Sequence, residues 1–269
     1  MTSPDQRVAL VTGGSTGIGE AAATVLARAG TAVVVHGLDA AEARDTAARI
    51  EQEGGRAIGV GGPVQDPATS ADAVAAAVET FGRLDVLVTS AGIQRYGDVV
   101  STSPQTWDEV LAVNLTGVYY AAHAALPYIR RSPAGAVVVV ASVQGTTTQP
   151  QVAAYTASKG ALHALTRAMA VDEAQYGVRV NSVSPGSVDT PMLRSSARLF
   201  GGDTPQGEQS VIDLWGSSHP LGRVARPPEV GEVIAFLASE RASFVTGADV
   251  RVDGGLLSLI GAPLPQADA

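Results

Sequence analysis

Short unbroken apolar runs alternate along this chain with longer stretches in which alanines and other small apolar residues recur at helical spacing. The first run, Val8-Ala9-Leu10-Val11, follows Arg7, others lie at 32–35, 57–60 and 136–141, and the mixed stretches 85–88, 178–183 and 248–252 complete the predicted strands. Runs of this kind suit strands buried on both faces of a parallel sheet, not strands with one wet face. Between them the pattern predicts helices at 20–29, 40–53, 69–81, 104–130, 152–176 and 228–238. The fourth of these should bend near Pro127. Gly30 and the pair Gly54-Gly55 fall where helices should stop. Residues 192–220 carry no clear period and read as a long irregular segment, and 262–269 read as a loose tail.

Regular alternation of strand and helix predicts an α/β fold: a single-domain, Rossmann-type, doubly wound and mostly parallel sheet of about seven strands, with helices on both faces. No Ser/Gly/Pro linker or solenoid repeat interrupts it, so one domain over 1–269 is expected. In such a sheet the loops after the strand carboxyl ends share one rim, where ligands bind. The glycine turn 13–19, Gly92, Ser142 and Pro185-Gly186 all follow predicted strand ends.

Composition narrows the function more than the fold. The net charge of −8, with no Lys/Arg run, argues against nucleic acid or an anionic membrane surface as partner. The longest apolar runs are too short to cross a bilayer. The absence of cysteine excludes disulfides, thiolate catalysis and cysteine metal sites. His36, His123, His163 and His219 are scattered without ligand spacing, so no metal is expected. The polar, acidic N-terminus is unlike a signal peptide, and a cytoplasmic location is expected.

The chemistry concentrates at Tyr155 and Lys159. Four apart on a helix, they project from one face. A phenol with a pKa near ~10 is a poor base at neutral pH. A cation about 4 Å away at an effective dielectric of ~20 is worth roughly 4 kcal/mol, or about three pKa units. That would bring the tyrosine into range for proton transfer. A half-buried tyrosine beside a surface lysine would give the same letters. The stretch Thr12-Gly13-Gly14-Ser15-Thr16-Gly17-Ile18-Gly19, between a strand and a helix, could admit a pyrophosphate to backbone N–H groups at a helix start. A tight turn without a ligand could look alike. Ser142 could simply end a strand, and Asn114 could satisfy a helix irregularity.

Taken together, Thr12-Gly13-x-x-x-Gly17-Ile18-Gly19, Ala91-Gly92, Asn114, Ser142, Tyr155-x-x-x-Lys159, Pro185-Gly186 and Val252-Asp253-Gly254-Gly255 resemble the short-chain dehydrogenase/reductase family in order and spacing. The resemblance runs from about residue 7 to 257. It implies an oxidoreductase that moves hydride between a nicotinamide cofactor and a secondary alcohol or ketone. Tyr155 would be the general acid/base, and Lys159 would hold the nicotinamide ribose and lower the tyrosine's pKa. Ser142 would hydrogen-bond the reacting oxygen, and Asn114 would position a water that relays protons from Lys159. The cofactor would meet Gly13, Ser15, Thr16, Gly17, Ile18 and Gly19 at the turn. Further along it would meet Val64, Ser90, Ala91, Gly92, Pro185 and Gly186, with Val188 and Thr190 at the carboxamide.

At the adenosine end the sequence departs from the family. The basic residues that usually mark NADP are replaced by Thr16, Gly37 and Leu38, and the acid that marks NAD is missing from Gly37. Asp39, two residues on, could bind the ribose or only cap the next helix. A 2′-phosphate without a cation is costly, so NAD is expected over NADP. Pro63 and Ser90 stand where an adenine-binding acid and an asparagine are usual. Substrate choice is expected in a lid at 192–220, with Met192, Phe200, Leu214 and Trp215 over an apolar substrate. Alternatively Gln94, Gln144 and Gln149 offer amides to hydroxyls of a sugar or polyol, or face solvent in loops; an oxo-acid is a further option. The family also implies a homotetramer, with contacts through helix faces and residues 248–259. Two competing readings are a non-catalytic dinucleotide-binding sensor or scaffold, and an epimerase or dehydratase that retains its cofactor.

Overall fold

The computed structural model describes residues 6–259; the loose tail expected at 262–269 lies outside them. Seven strands form one parallel sheet: β1 Val8–Thr12, β2 Ala32–Gly37, β3 Ala57–Gly61, β4 Val86–Thr89, β5 Ala136–Val140, β6 Arg179–Pro185 and β7 Asp249–Val252. Their spatial order is β3-β2-β1-β4-β5-β6-β7. The chain builds outward from β1 to β3, then crosses back and continues from β4. That reversal opens a crevice between the carboxyl ends of β1 and β4, the place where doubly wound sheets take ligands.

The unbroken apolar runs have a direct cause. In β1, Val8 and Leu10 join one core while Ala9 and Val11 join the other, because successive side chains point to opposite faces and here both faces are covered. One core is closed by helices α3 Pro67–Phe81, α5 Gly117–Ile129 and α6 Ala153–Glu173. The other is closed by α1 Gly17–Arg28, α2 Ala40–Gln52 and α9 Pro227–Ala238. No helix among the described residues is long and apolar enough to cross a membrane.

Two stretches differ from the sequence expectation. The helix expected over 104–130 is α4 Pro104–Leu111, a π-helical turn Ala112–Thr116 and α5. The helix continues through Pro127, and a π-helical irregularity falls at Asn114. The segment 192–220, expected to be irregular, is a pair of helices, α7 Pro191–Gly201 and α8 Pro205–Ser217. Thr190 caps α7 through the Leu193 N–H, and Thr204 caps α8 through the Gly207 N–H, each followed by proline in the first turn. The pair cross where Gly201 and Gly207 face each other; a Cβ on either would run into the other's backbone. Asp189 and Glu208 both grip Arg194, and Glu208 also pairs with Arg198.

Candidate active site

The glycine turn after β1 is shaped by close approach. Gly13 sits at φ +63°, and a Cβ there would lie 2.6 Å from the Ala91 amide nitrogen; Gly17 sits at φ +58°. A Cβ on Gly19 would strike the Gly13 carbonyl. The turn therefore folds flat against the loop after β4 and starts α1 at its edge. Thr16, the residue before α1, makes no side-chain cap, so the first-turn N–H groups remain available to an anion. Ser15 lies behind the turn, its carbonyl accepting from Thr46 Oγ1 at 3.1 Å.

Helix α6 brings in the reacting pair. Its start is pinned to the loop after β4: the Gly97 N–H donates to the Gln151 carbonyl at 2.7 Å, and the Ala153 N–H to the Gly97 carbonyl at 3.1 Å. Gln151 holds φ +64° to make that connection, a strained conformation for a residue with a Cβ. Tyr155 and Lys159 are 8% and 5% exposed. The Lys159 ammonium lies 5.6 Å from the centre of the Tyr155 ring and donates to the Val140 carbonyl at 2.8 Å. Ser142, just past β5, lies near enough the Tyr155 hydroxyl to pull its pKa down, and accepts from the Gln144 N–H at 3.1 Å.

Asn114 is fully buried. Its Oδ1 accepts from the Ile93 N–H at 2.8 Å, and its Nδ2 donates to the Ile93 carbonyl at 2.9 Å and to Ser158 Oγ at 3.1 Å. The π-helical turn aims this side chain across to the loop after β4. A Cβ on Gly92 would lie 3.4 Å from Asn114 Oδ1 and 3.8 Å from Lys159 Nζ, so both heads flank that glycine.

Burial sets the charges. It pushes the Tyr155 phenol up to about 12, with the Ser142 hydroxyl pulling down and Tyr96 pushing further up. Burial likewise lowers the Lys159 ammonium to about 8. In the protein alone, then, desolvation outweighs the downward pull on Tyr155 that the pair's spacing suggests. Rising pH takes the proton from Lys159 first.

Ser142, Tyr155 and Lys159, but not Asn114, line one cavity of about 490 Å³, which runs from Gly13, Gly17 and Ile18 to α7 and α8. Thr16, Ser90, Ala91 and Gly92 line it, as do Pro185, Gly186, Val188 and Thr190. Of the residues expected at the substrate, Gln94, Gln144, Gln149, Met192 and Trp215 line it too, while Phe200 and Leu214 do not. Several expected site residues do not. Gly19 is held inside the turn, and Val64 is buried against Gly117. Asp39 is exposed and caps α2, its Oδ1 accepting from the Ala41 N–H at 2.6 Å. Leu214 is 66% exposed on the outer side of α8.

The sequence reasoning missed Tyr96, Ser196, Leu256, Leu257 and His219, all in the lining. Tyr96 meets Phe200 edge to face at 4.9 Å, and Phe200 meets Trp215 at 6.3 Å, roofing the cavity from both sides. His219 is 4% exposed. Its Nε2 accepts from the Ser187 N–H at 3.1 Å, which leaves Nδ1 to donate to the Trp215 carbonyl at 2.9 Å. It thus ties the end of α8 to the loop after β6. A lone histidine without spacing gave no sign of this; Tyr96, two residues from Gln94 on the same loop, could have been found.

The chain matches the family model described as enoyl-(acyl carrier protein) reductase over residues 13–257. Oxidoreductase UcpA of Salmonella typhimurium is 40% identical over 251 residues, covering 93% of this chain and 94% of that one. Cis-4-hydroxycyclohexanecarboxylate dehydrogenase of Sinomonas cyclohexanicum is 40% identical over 252 residues, covering 93% and 96%. Among solved structures, the ligand-free aldohexose dehydrogenase of Thermoplasma acidophilum is 34% identical, with a TM-score of 0.89 and coverage of 97% and 98%.

Proposed function

Since the chain belongs to the short-chain dehydrogenase/reductase family and is an oxidoreductase acting on alcohol groups with NAD or NADP, we propose that it interconverts a secondary alcohol and its ketone through Tyr155. One observation carries this reading: Tyr155, Ser142 and Lys159 converge, buried, in a single cavity that opens beside the glycine turn. When bound, the nicotinamide supplies the two-electron hydride acceptor or donor. The cavity fits such a group, since the flat glycine turn and the uncapped start of α1 offer N–H groups to a diphosphate.

The protein's own residues handle the proton. Ser142 Oγ and the Tyr155 hydroxyl lie close enough to act on each other and can both reach one substrate oxygen. Tyr155 takes the alcohol's O–H proton on oxidation and returns it on reduction. Lys159, held by the Val140 carbonyl, keeps a positive charge within reach of the phenol below about pH 8. Asn114 and Lys159 flank Gly92, a geometry suited to relaying the proton from Lys159 towards solvent by way of a water.

Tyr155→Phe tests this directly. It should lower kcat about a thousandfold, within the range general acid/base catalysis supplies, while leaving dinucleotide affinity nearly unchanged. Undiminished turnover would overturn the reading.

For the cofactor we favour NAD. Leu38 is 76% exposed at the end of β2, and Asp39, with one oxygen committed to its cap, adds negative charge where a 2′-phosphate would need a cation. Titration followed by tryptophan fluorescence should give tighter binding of NAD than NADP. A clear NADP preference would leave Asp39 as a helix cap only.

A further inference from the structure

The substrate end of the cavity offers no charge for an anion. Among the described residues lining it, Lys159 is the only Lys, Arg, Asp or Glu. The residues outside 6–259 contain no lysine or arginine either. Three arginines lie close in sequence, and each is committed to a carboxylate: Arg95 to Glu109, Arg194 to Asp189 and Glu208, and Arg198 to Glu208. A carboxylate carried into this space would lose water and gain no cationic partner, which is unfavourable.

What the walls do offer is neutral polarity below an aromatic roof. Gln94, Gln144, Gln149 and Ser196 present amides and a hydroxyl, while Tyr96 and Trp215 close the top with Phe200 between them. The Gln144 side-chain oxygen is buried and has no donor, yet its backbone N–H is bonded to Ser142, beside the reacting centre. A buried acceptor without a partner is costly until a donor arrives. A hydroxyl can donate to it; a methylene or a carboxylate cannot.

We infer that the substrate is an uncharged alcohol that carries at least one further hydroxyl, donated to Gln144. The inference rests on the alcohol–ketone reading above and narrows it. The reaction is unchanged: the carbinol loses its C–H as hydride to the nicotinamide and its O–H proton to Tyr155, leaving a ketone. It separates this chain from its relative named for cis-4-hydroxycyclohexanecarboxylate, whose substrate is an anion.

The test uses four compounds with the full-length enzyme and either cofactor: cis-4-hydroxycyclohexanecarboxylate, its methyl ester, cyclohexanol and cyclohexane-1,2-diol. The ester should exceed the acid in kcat/KM by about a hundredfold or more, the scale expected for stranding a carboxylate. The diol should exceed cyclohexanol about tenfold, and Q144L should abolish that advantage, as loss of one hydrogen bond predicts. S196R, which adds a cation to the wall, should shift the ratio toward the acid. Acid and ester used equally well, or cyclohexanol preferred to the diol, would overturn the inference. Binding separates this failure from failure of the reaction. The chain has two tryptophans, so in W107F only Trp215 reports on the cavity. Quenching by ester and diol but not by acid, without turnover, would keep the pocket assignment and sink the reaction. Equal quenching by acid and ester would sink the pocket assignment whatever the turnover.

Discussion

Lys159 is the only lysine in the chain, and burial has taken it to about 8 while taking Tyr155 to about 12. The amine therefore changes charge within the working range, whereas the phenol alone would not. Because the two sit on one helix face and, in the proposed mechanism, act on one proton, the titration seen in kinetics should belong to the pair. The sign follows: oxidation needs the pair to accept a proton and reduction needs it to give one. kcat/KM for alcohol oxidation should climb with pH and level off above about 8, and kcat/KM for ketone reduction should fall over the same range. Lysine carrying a single isotopic label gives one resonance here, so its titration can be read without assignment. A midpoint near 10.5 in the protein alone would remove the basis for this profile.

The helix pair over the cavity is held by detail rather than by a deep core. Leu199, Phe200 and Leu214 are all more than half exposed, while the Gly201–Gly207 crossing and the Asp189–Arg194–Glu208–Arg198 chain of ion pairs lock α7 to α8. Gly201→Ala should force the helices apart. We expect KM for the substrate to rise about tenfold, with kcat less affected and the unfolding midpoint nearly unchanged, since the sheet is not involved. An unchanged KM would mean that α7 and α8 do not shape the pocket. The same exposure explains why these helices were illegible. Their leucines do not form one buried stripe, and Gly201, Gly202, Gly207 and Gly216 read as breakers. The signals that did exist were Thr190-Pro191 and Thr204-Pro205, two cap-and-proline starts. The central strands β1, β2, β4 and β5, by contrast, were legible because burial on both faces leaves a nearly unbroken apolar run. The convergence of Tyr155 and Ser142 on one cavity was legible from their order along the chain. The π-helical turn was not, because one extra residue per turn leaves no mark on the hydrophobic pattern.

At the scale of the whole molecule, the sheet places a charge where folding would rather not have one. Lys159 sits at the carboxyl rim between two apolar cores, with one recorded protein hydrogen bond, to the Val140 carbonyl. Its folded pKa near 8 lies below the ordinary 10.5. Between those values the unfolded chain holds a proton that the folded protein does not, so stability rises with pH through that window. Below pH 8 both states are protonated and the full penalty stands, on the order of 3 kcal/mol. Tyr155 works the other way, since a phenol raised to about 12 lets stability fall between pH 10 and 12. That contribution is common to the wild type and a lysine variant, and cancels in their difference. Lys159→Met should therefore be inactive yet more stable than the wild type at pH 7, by about 2 kcal/mol after loss of the Val140 hydrogen bond. The gap should close as pH approaches 10.5. Urea unfolding of both proteins at pH 7 and pH 10 measures it. A gap of constant size at the two pH values would mean that the charge is not what the fold is bearing, and a less stable variant would mean that the hydrogen bond outweighs it.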